Sequence, residues 1–249
     1  MRWEMKGANV LFSVSNSCIL YWKVGGCAAD THGLVVLGLQ QCNGSFQGDK
    51  WGETDTRFLY CATSVLAHLG ALDELDHEKT IQWVLRCSNF DGGFGLTEGA
   101  ESHAAQVFTC VGALSILHAL DRIDQDTLAW WLVERQVPGG GLNGRPQKLE
   151  DVCYSWWVLS SLSLLHRLHW IDSERLCAFI LSAQDPERGG IADRPDNVTD
   201  VFHTQFGVAG LSLLGYSGLQ RVDPTYCMPC HITEALGLSL IHISERAGK

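Results

Sequence analysis

Glycine-rich turns recur along this chain at a nearly constant step. NGSF, DGGF, GGGL and RGGI end at Phe46, Phe94, Leu142 and Ile191, which lie 48, 48 and 49 residues apart. A second marker keeps step: Asp76, Asp124 and Asp172 open the apolar-periodic runs DHEKTIQWVL, DQDTLAWWLV and DSERLCAFIL. An Asp in that place predicts a helix N-cap, its carboxylate accepting from backbone N–H groups that have no partner inside the helix. A period of this length with few strand signals restricts the chain to an array of helical hairpins.

Each unit reads as Gly turn, polar loop, first helix, short link, second helix. The first unit's helices are expected over 55–69, with Phe58, Ala62, Val65 and Leu69 at helical spacing, and over 77–87, with Ile81, Val84 and Leu85. First helices are the more apolar, as in VFTCVGALSIL, CYSWWVLSSLSLL and FGVAGLSLLG. A helix apolar on most sides is a buried one, so first helices form an inner layer and second helices an outer one. Curled into a ring, the stack is an all-α fold, an α/α barrel (toroid). The repeats occupy 41–229. Residues 1–40 carry no repeat marker apart from GLVVLGLQQ at 33–41, which reads as the tail of an outer helix, so the barrel is expected to be incomplete at that end. Residues 230–249 read as a divergent tail, and 238–249 are set aside as non-native.

The net charge of −10 argues against a nucleic-acid partner, since phosphate binding normally shows as a basic face. The ten cysteines are scattered through apolar helical segments, where a free thiol behaves as a small hydrophobe. That pattern points to a reducing, cytoplasmic setting. No apolar run is long enough for a membrane span, and Asn and Ser interrupt the apolar stretch ANVLFSVSNSCILYW, which lacks a clear cleavage site.

Residues that begin the inner helices share a register. Asp55, His103, Asp151 and Asp200 each fall nine residues after a turn marker, which places all four at one rim of the barrel. Cys153 follows Asp151 by two, and His203 follows Asp200 by three. Neighbouring inner helices pack roughly 8–10 Å apart, so Asp151, Cys153 and His203 can converge from two adjacent helices. Carboxylate, thiolate and imidazole suit Zn²⁺, and three protein ligands leave a fourth position open. Taken singly, an Asp before a helix is a cap and a buried Cys or His is packing; spacing alone leaves both readings open.

The same rim carries His103, Arg145, Lys148 and Tyr154, and helix N-termini favour anions there. Below it the expected wall is aromatic: Tyr60, Phe108, Trp156, Trp157 and Phe206. An anion-binding mouth over an apolar shaft suits an amphiphile with a charged head and a hydrocarbon tail; core filler and solvated cations are the plainer account. GGGLNG at 139–144 matches a dinucleotide pattern but opens no βαβ unit, and CMPCH at 227–231 matches a haem pattern only incidentally.

GGLNGRPQKLEDVCYSWWVL, with DVFHTQFGVAGLSLLG one repeat later, resembles the β subunits of protein prenyltransferases. DTRFLYCA, NFDGGFG, ESHAAQ, WWLVERQ and LHWID are most similar to the Rab geranylgeranyltransferase (type II) branch. The likeness covers roughly 40–229. It implies that Asp151, Cys153 and His203 hold one Zn²⁺ and that His103, Arg145, Lys148 and Tyr154 bind the diphosphate of geranylgeranyl diphosphate. It further implies that Trp157 lines the isoprenoid channel and that Arg57 stands on the active-site rim. Its implied partners are a helical α subunit in a heterodimer and a Rab GTPase brought by an escort protein; a Mg²⁺ contribution stays open. The departure is in number, four hairpins where the family barrel has about six. Two alternatives therefore stand beside the transferase: a non-catalytic truncated module that only binds the α subunit, and a terpene cyclase-like barrel, which the absence of D-x-D-D disfavours.

Overall fold

The computed structural model describes residues 29–49 and 51–238. The expected features of residues 1–28 and 239–249 lie outside the described residues. Within them the chain is helical: α1 (Ala29–Leu37), α2 (Thr56–Leu69), α3 (His77–Arg86), α4 (Ala104–Ile116), α5 (Gln125–Val133), α6 (Cys153–Leu164), α7 (Ser173–Ser182), α8 (Val201–Leu213) and α9 (Cys230–Ala235). The first unit's helices begin and end within a residue of their sequence-expected bounds. No helix among the described residues is long and apolar enough to cross a membrane.

The inner layer is α2, α4, α6 and α8, each packed on the next; α3, α5 and α7 lie outside it. Burial explains the division. In α4 every residue from Val107 to Ile116 is buried, including Leu114 at 0% exposure. In α3 the buried side chains are Thr80, Ile81, Trp83 and Val84, a single stripe. Each fully buried Leu of the inner helices adds roughly 1.5–3 kcal/mol over an exposed one. The outer helices start as expected, with Asp76, Asp124 and Asp172 accepting from the backbone N–H of Lys79, Thr127 and Arg175.

Neighbouring units are stitched through the backbone at the same register. The amides of Thr56, Ala104 and Val152, at the inner-helix starts, donate to the carbonyls of Leu96, Gly144 and Asp193, each one unit on. Each glycine turn is closed by an antiparallel bridge, such as Gln40 with Phe46 and Gln136 with Leu142. Gly44 (φ 92°) and Gly140 (φ 92°) show why glycine stands there: a Cβ would meet the Lys79 carbonyl oxygen at 2.0 Å and the Arg175 carbonyl oxygen at 2.7 Å. A left-handed residue also ends each inner helix, at Gly70, His118, His166 and Gly215.

After α8 the chain forms a short antiparallel hairpin, β1 (Val222–Asp223) and β2 (Met228–Pro229), leading into α9. The hairpin reaches across the inner layer. Tyr60 Oη donates to the Thr225 carbonyl at 2.5 Å, and Ser160 Oγ donates to the Pro224 carbonyl at 2.6 Å, both buried. Tyr226 and Met228 thereby join an inner cluster containing Tyr60, Phe108, Trp156 and Phe206.

Candidate metal centre and its rim

Three of the four register positions are N-caps, and the fourth, Asp151, stands one residue before the N-cap Val152. Asp55 accepts from Arg57 N–H, His103 Nδ1 from Ala105 N–H, and Asp200 from His203 N–H. Asp151 Oδ1 accepts from Cys153 N–H at 2.8 Å. Four equivalent N-termini therefore bring these side chains to one rim, as the register predicts.

At α6 and α8 the rim becomes a cluster. One ligand atom each from Asp151, Cys153 and His203 lies within 4.8 Å of the other two. His203 Nε2 stands 3.3 Å from Asp151 Oδ1, with the imidazole 18% and the carboxylate 28% exposed. On the far side of the ring, Asp200 Oδ2 lies 2.6 Å from Nδ1. A carboxylate only accepts, so Nδ1 is the donor in that short contact. Nε2 faces a second carboxylate oxygen, so a cation or a proton must stand between them. Cys153 is 5% exposed, and burial, reinforced by the Asp151 carboxylate, pushes its thiol well up. A buried sulfur in such a place ionises only if a positive charge joins it. Three convergent donors that jointly lack a positive charge fit a divalent cation.

The anion rim adjoins this cluster. Tyr154 Oη lies 3.4 Å from His103 Nε2, with the two rings edge to face at 5.7 Å. Because His103 Nδ1 accepts a backbone proton at 3.2 Å, its own proton sits on Nε2 and points to the rim. Burial, followed by the charge of Arg145, lowers its pKa, so this imidazole is a neutral donor near pH 7. Burial pushes Tyr154 up to about 12, with Cys153 and Asp151 adding to it, so the phenol keeps its proton. Arg145 is half-buried and ion-paired with Glu101, while Lys148 is exposed and makes no ion pair among the described residues. Arg57 is not drawn into the cluster: its guanidinium closes on buried Asp55 at 2.6 Å and reaches Glu53 at 3.5 Å.

Below the rim the aromatic wall is continuous. Tyr154 meets Trp157 at 5.4 Å, Trp157 meets Phe206 at 5.5 Å, Tyr60 meets Phe108 at 4.9 Å, and Phe108 meets Trp156 at 6.0 Å. Trp156 is fully buried and its indole N–H has no acceptor among the described residues. Sequence reasoning placed Asp200 on the rim but missed its bond to the His203 ring; the D-x-x-H spacing from cap to third helical residue is the signal that could have found it.

A helical-hairpin toroid carrying a rim of three metal-type ligands above an aromatic wall defines the class. A family model described as the prenyltransferase alpha-alpha toroid domain matches residues 8–228, and the chain belongs to that family. It is 59% identical over 201 residues to the geranylgeranyl transferase type-2 subunit beta of Saccharomyces cerevisiae, covering 80% of this chain and 62% of that protein. It is 40% identical over 76 residues to the geranylgeranyl transferase type-1 subunit beta of Arabidopsis thaliana, covering 30% of this chain and 20% of that one. Among solved structures it is similar to the Candida albicans protein geranylgeranyltransferase-I complexed with GGPP, with a TM-score of 0.68 and 25% identity over 78% of this chain and 61% of that chain. The chain thus spans about three-fifths of the length of the yeast relative.

Proposed function

We propose that this chain is the zinc-holding catalytic part of a protein geranylgeranyltransferase of type II, working in the cytoplasm as a β subunit beside an α subunit. Its reaction is transfer of a geranylgeranyl group from geranylgeranyl diphosphate to C-terminal cysteines of a Rab GTPase presented by an escort protein. The observation that carries this reading is the convergence of Asp151, Cys153 and His203 within 4.8 Å, beside a neutral His103–Tyr154 donor pair. The type-2 relative at 59% identity supports the choice of acceptor and lipid.

Asp151, Cys153 and His203 would hold Zn²⁺, which when bound keeps an incoming cysteine ionised at neutral pH. The acceptor sulfur forms a bond to C1 of the lipid as the C1–O bond breaks, and diphosphate leaves with the electron pair. His103 Nε2–H and Tyr154 Oη–H donate to the departing anion, and Arg145 and Lys148 supply charge. Donors fixed in place before charge develops are the largest contribution in many such reactions. Trp157, Phe206 and Tyr154 wall the hydrocarbon tail and keep water from C1. Arg57, held by Asp55, would act on the rim.

Metal analysis of the purified full chain, alone and with an α subunit, is the first test, followed by transfer of labelled lipid to a Rab with escort protein present. Cys153→Ala should remove stoichiometric zinc and all transfer. Zinc retained at full stoichiometry in Cys153→Ala overturns the ligand assignment. Association with the α subunit without lipid transfer would overturn the catalytic reading and leave a helical module that only binds the α subunit.

A further inference from the structure

We propose that Asp200 is a positioning residue that sets the tautomer of His203 and so decides whether that ring can ligate a metal. The proposal rests on the metal-site reading above. Asp200 ends the loop before α8 and uses its two oxygens for different tasks. Oδ1 accepts from the backbone N–H of His203 at 2.9 Å, and Oδ2 lies 2.6 Å from His203 Nδ1. The backbone contact caps the helix; the ring contact holds the proton on Nδ1. Nε2 is then the nitrogen left to ligate, on the side where Asp151 Oδ1 stands 3.3 Å away and the Cys153 thiol converges. Outer carboxylates on a ligating imidazole fix ring orientation and raise its donor strength, and losing one typically costs about 10–100-fold in metal affinity.

Only a carboxylate can do both tasks. An Asn of the same shape has one acceptor oxygen. With that oxygen on the His203 amide, its NH₂ faces Nδ1 and imposes the Nε2–H tautomer, which cannot ligate through Nε2. With that oxygen on the ring, the NH₂ opposes the backbone N–H and the cap is lost. Ser at this position still caps, because its hydroxyl accepts from the first turn, but it leaves the ring unrestrained. Asp200→Asn and Asp200→Ser therefore separate the cap from the ring contact.

The experiment uses the full chain. Zinc affinity is measured by competition with a chromophoric chelator, and the His203 Nδ1 proton is followed in the zinc-loaded protein by long-range ¹H–¹⁵N correlation. The expected result is a hydrogen-bonded Nδ1–H in the zinc-loaded wild type, loss of that hydrogen bond in both variants, and zinc affinity lower by about 10–100-fold in both. The thermal midpoint of zinc-free Asp200→Ser should stay near that of the wild type. Undiminished zinc affinity in both variants, beside a wild type that binds zinc, overturns this proposal and leaves the metal site standing. A wild type that binds no zinc overturns both.

Discussion

Adding one methyl group at Gly144 should misplace Tyr154 and little else. A Cβ built there would sit 2.4 Å from Tyr154 Cζ and Oη and 2.6 Å from Cε1, whereas ordinary contact begins at 3.4 Å. The shortfall is 1.0 Å. The loop cannot give way freely, because the Gly144 carbonyl accepts from Ala104 N–H at 2.8 Å and Asn143 bridges to Glu150. The Tyr154 ring must retreat instead, away from His103 Nε2 at 3.4 Å and against Trp157. Forcing a methyl into packed space costs about 1–3 kcal/mol, partly offset by the roughly 0.4–1 kcal/mol that Gly→Ala gains through the unfolded chain.

A double-mutant cycle isolates the effect. Gly144→Ala in the wild-type background should lower the thermal midpoint, by about 2–4 °C per kcal/mol for a chain of this size. In a Tyr154→Ala background the three atoms nearest the methyl are gone, and the same change should cost much less. The coupling energy should therefore be about 1–3 kcal/mol. Lipid transfer should fall by up to about 10²-fold in the single mutant, the order expected when a contacting group is displaced by about 1 Å. A coupling energy within about 0.5 kcal/mol of zero, the range of independent sites, would show that Tyr154 does not rest on Gly144.

Two further outcomes follow from burial. His103 has a pKa lowered in the fold from its ordinary 6.5, so the unfolded chain takes up the proton first. Its contribution to stability is full above pH 6.5 and is lost as pH falls from there toward the folded value; urea midpoints of wild type minus His103→Asn, which keeps a capping side chain, should trace that loss, and a flat difference between pH 7 and 5 contradicts it. Tyr60→Phe removes the donor to the buried Thr225 carbonyl and should cost about 1–3 kcal/mol in thermal unfolding. An unchanged midpoint would mean that the hairpin is not latched to α2.

Much of this architecture is legible from local rules. The turns at Phe46, Phe94 and Leu142 need glycine because outer-helix backbone crowds Gly44, Gly92 and Gly140, whereas Gly189 and Gly190 before Ile191 answer to a positive φ; needs of both kinds repeat visibly in sequence. The caps Asp76, Asp124 and Asp172 are equally local. The convergence of Asp151, Cys153 and His203 followed from register plus the side-by-side packing of α6 and α8. What escaped prediction is non-local or too short to carry a pattern. β1 and β2 have two residues each, so they show no alternation, and the Tyr60–Thr225 latch joins residues 165 apart. Arg57 was placed on the rim by resemblance alone; its closure onto Asp55, two residues back, is a local ion pair that periodicity does not reveal.

The two histidines show how one repeat register yields opposite chemistry. His103 occupies the cap position itself, so Nδ1 must accept from Ala105 N–H and the proton is left on Nε2. An imidazole in that state donates outward and suits an anion. His203 stands three residues inside its helix, after an Asp cap, so Nδ1 donates to the cap and Nε2 is turned to the Asp151 carboxylate. An imidazole in that state accepts outward and suits a cation. A change of place by three residues relative to the helix start therefore inverts what the ring offers to the same rim. On the proposed reading, an anion subsite between α4 and α6 stands beside a cation subsite between α6 and α8, and a diphosphate leaving group and a thiol acceptor need those two subsites as neighbours.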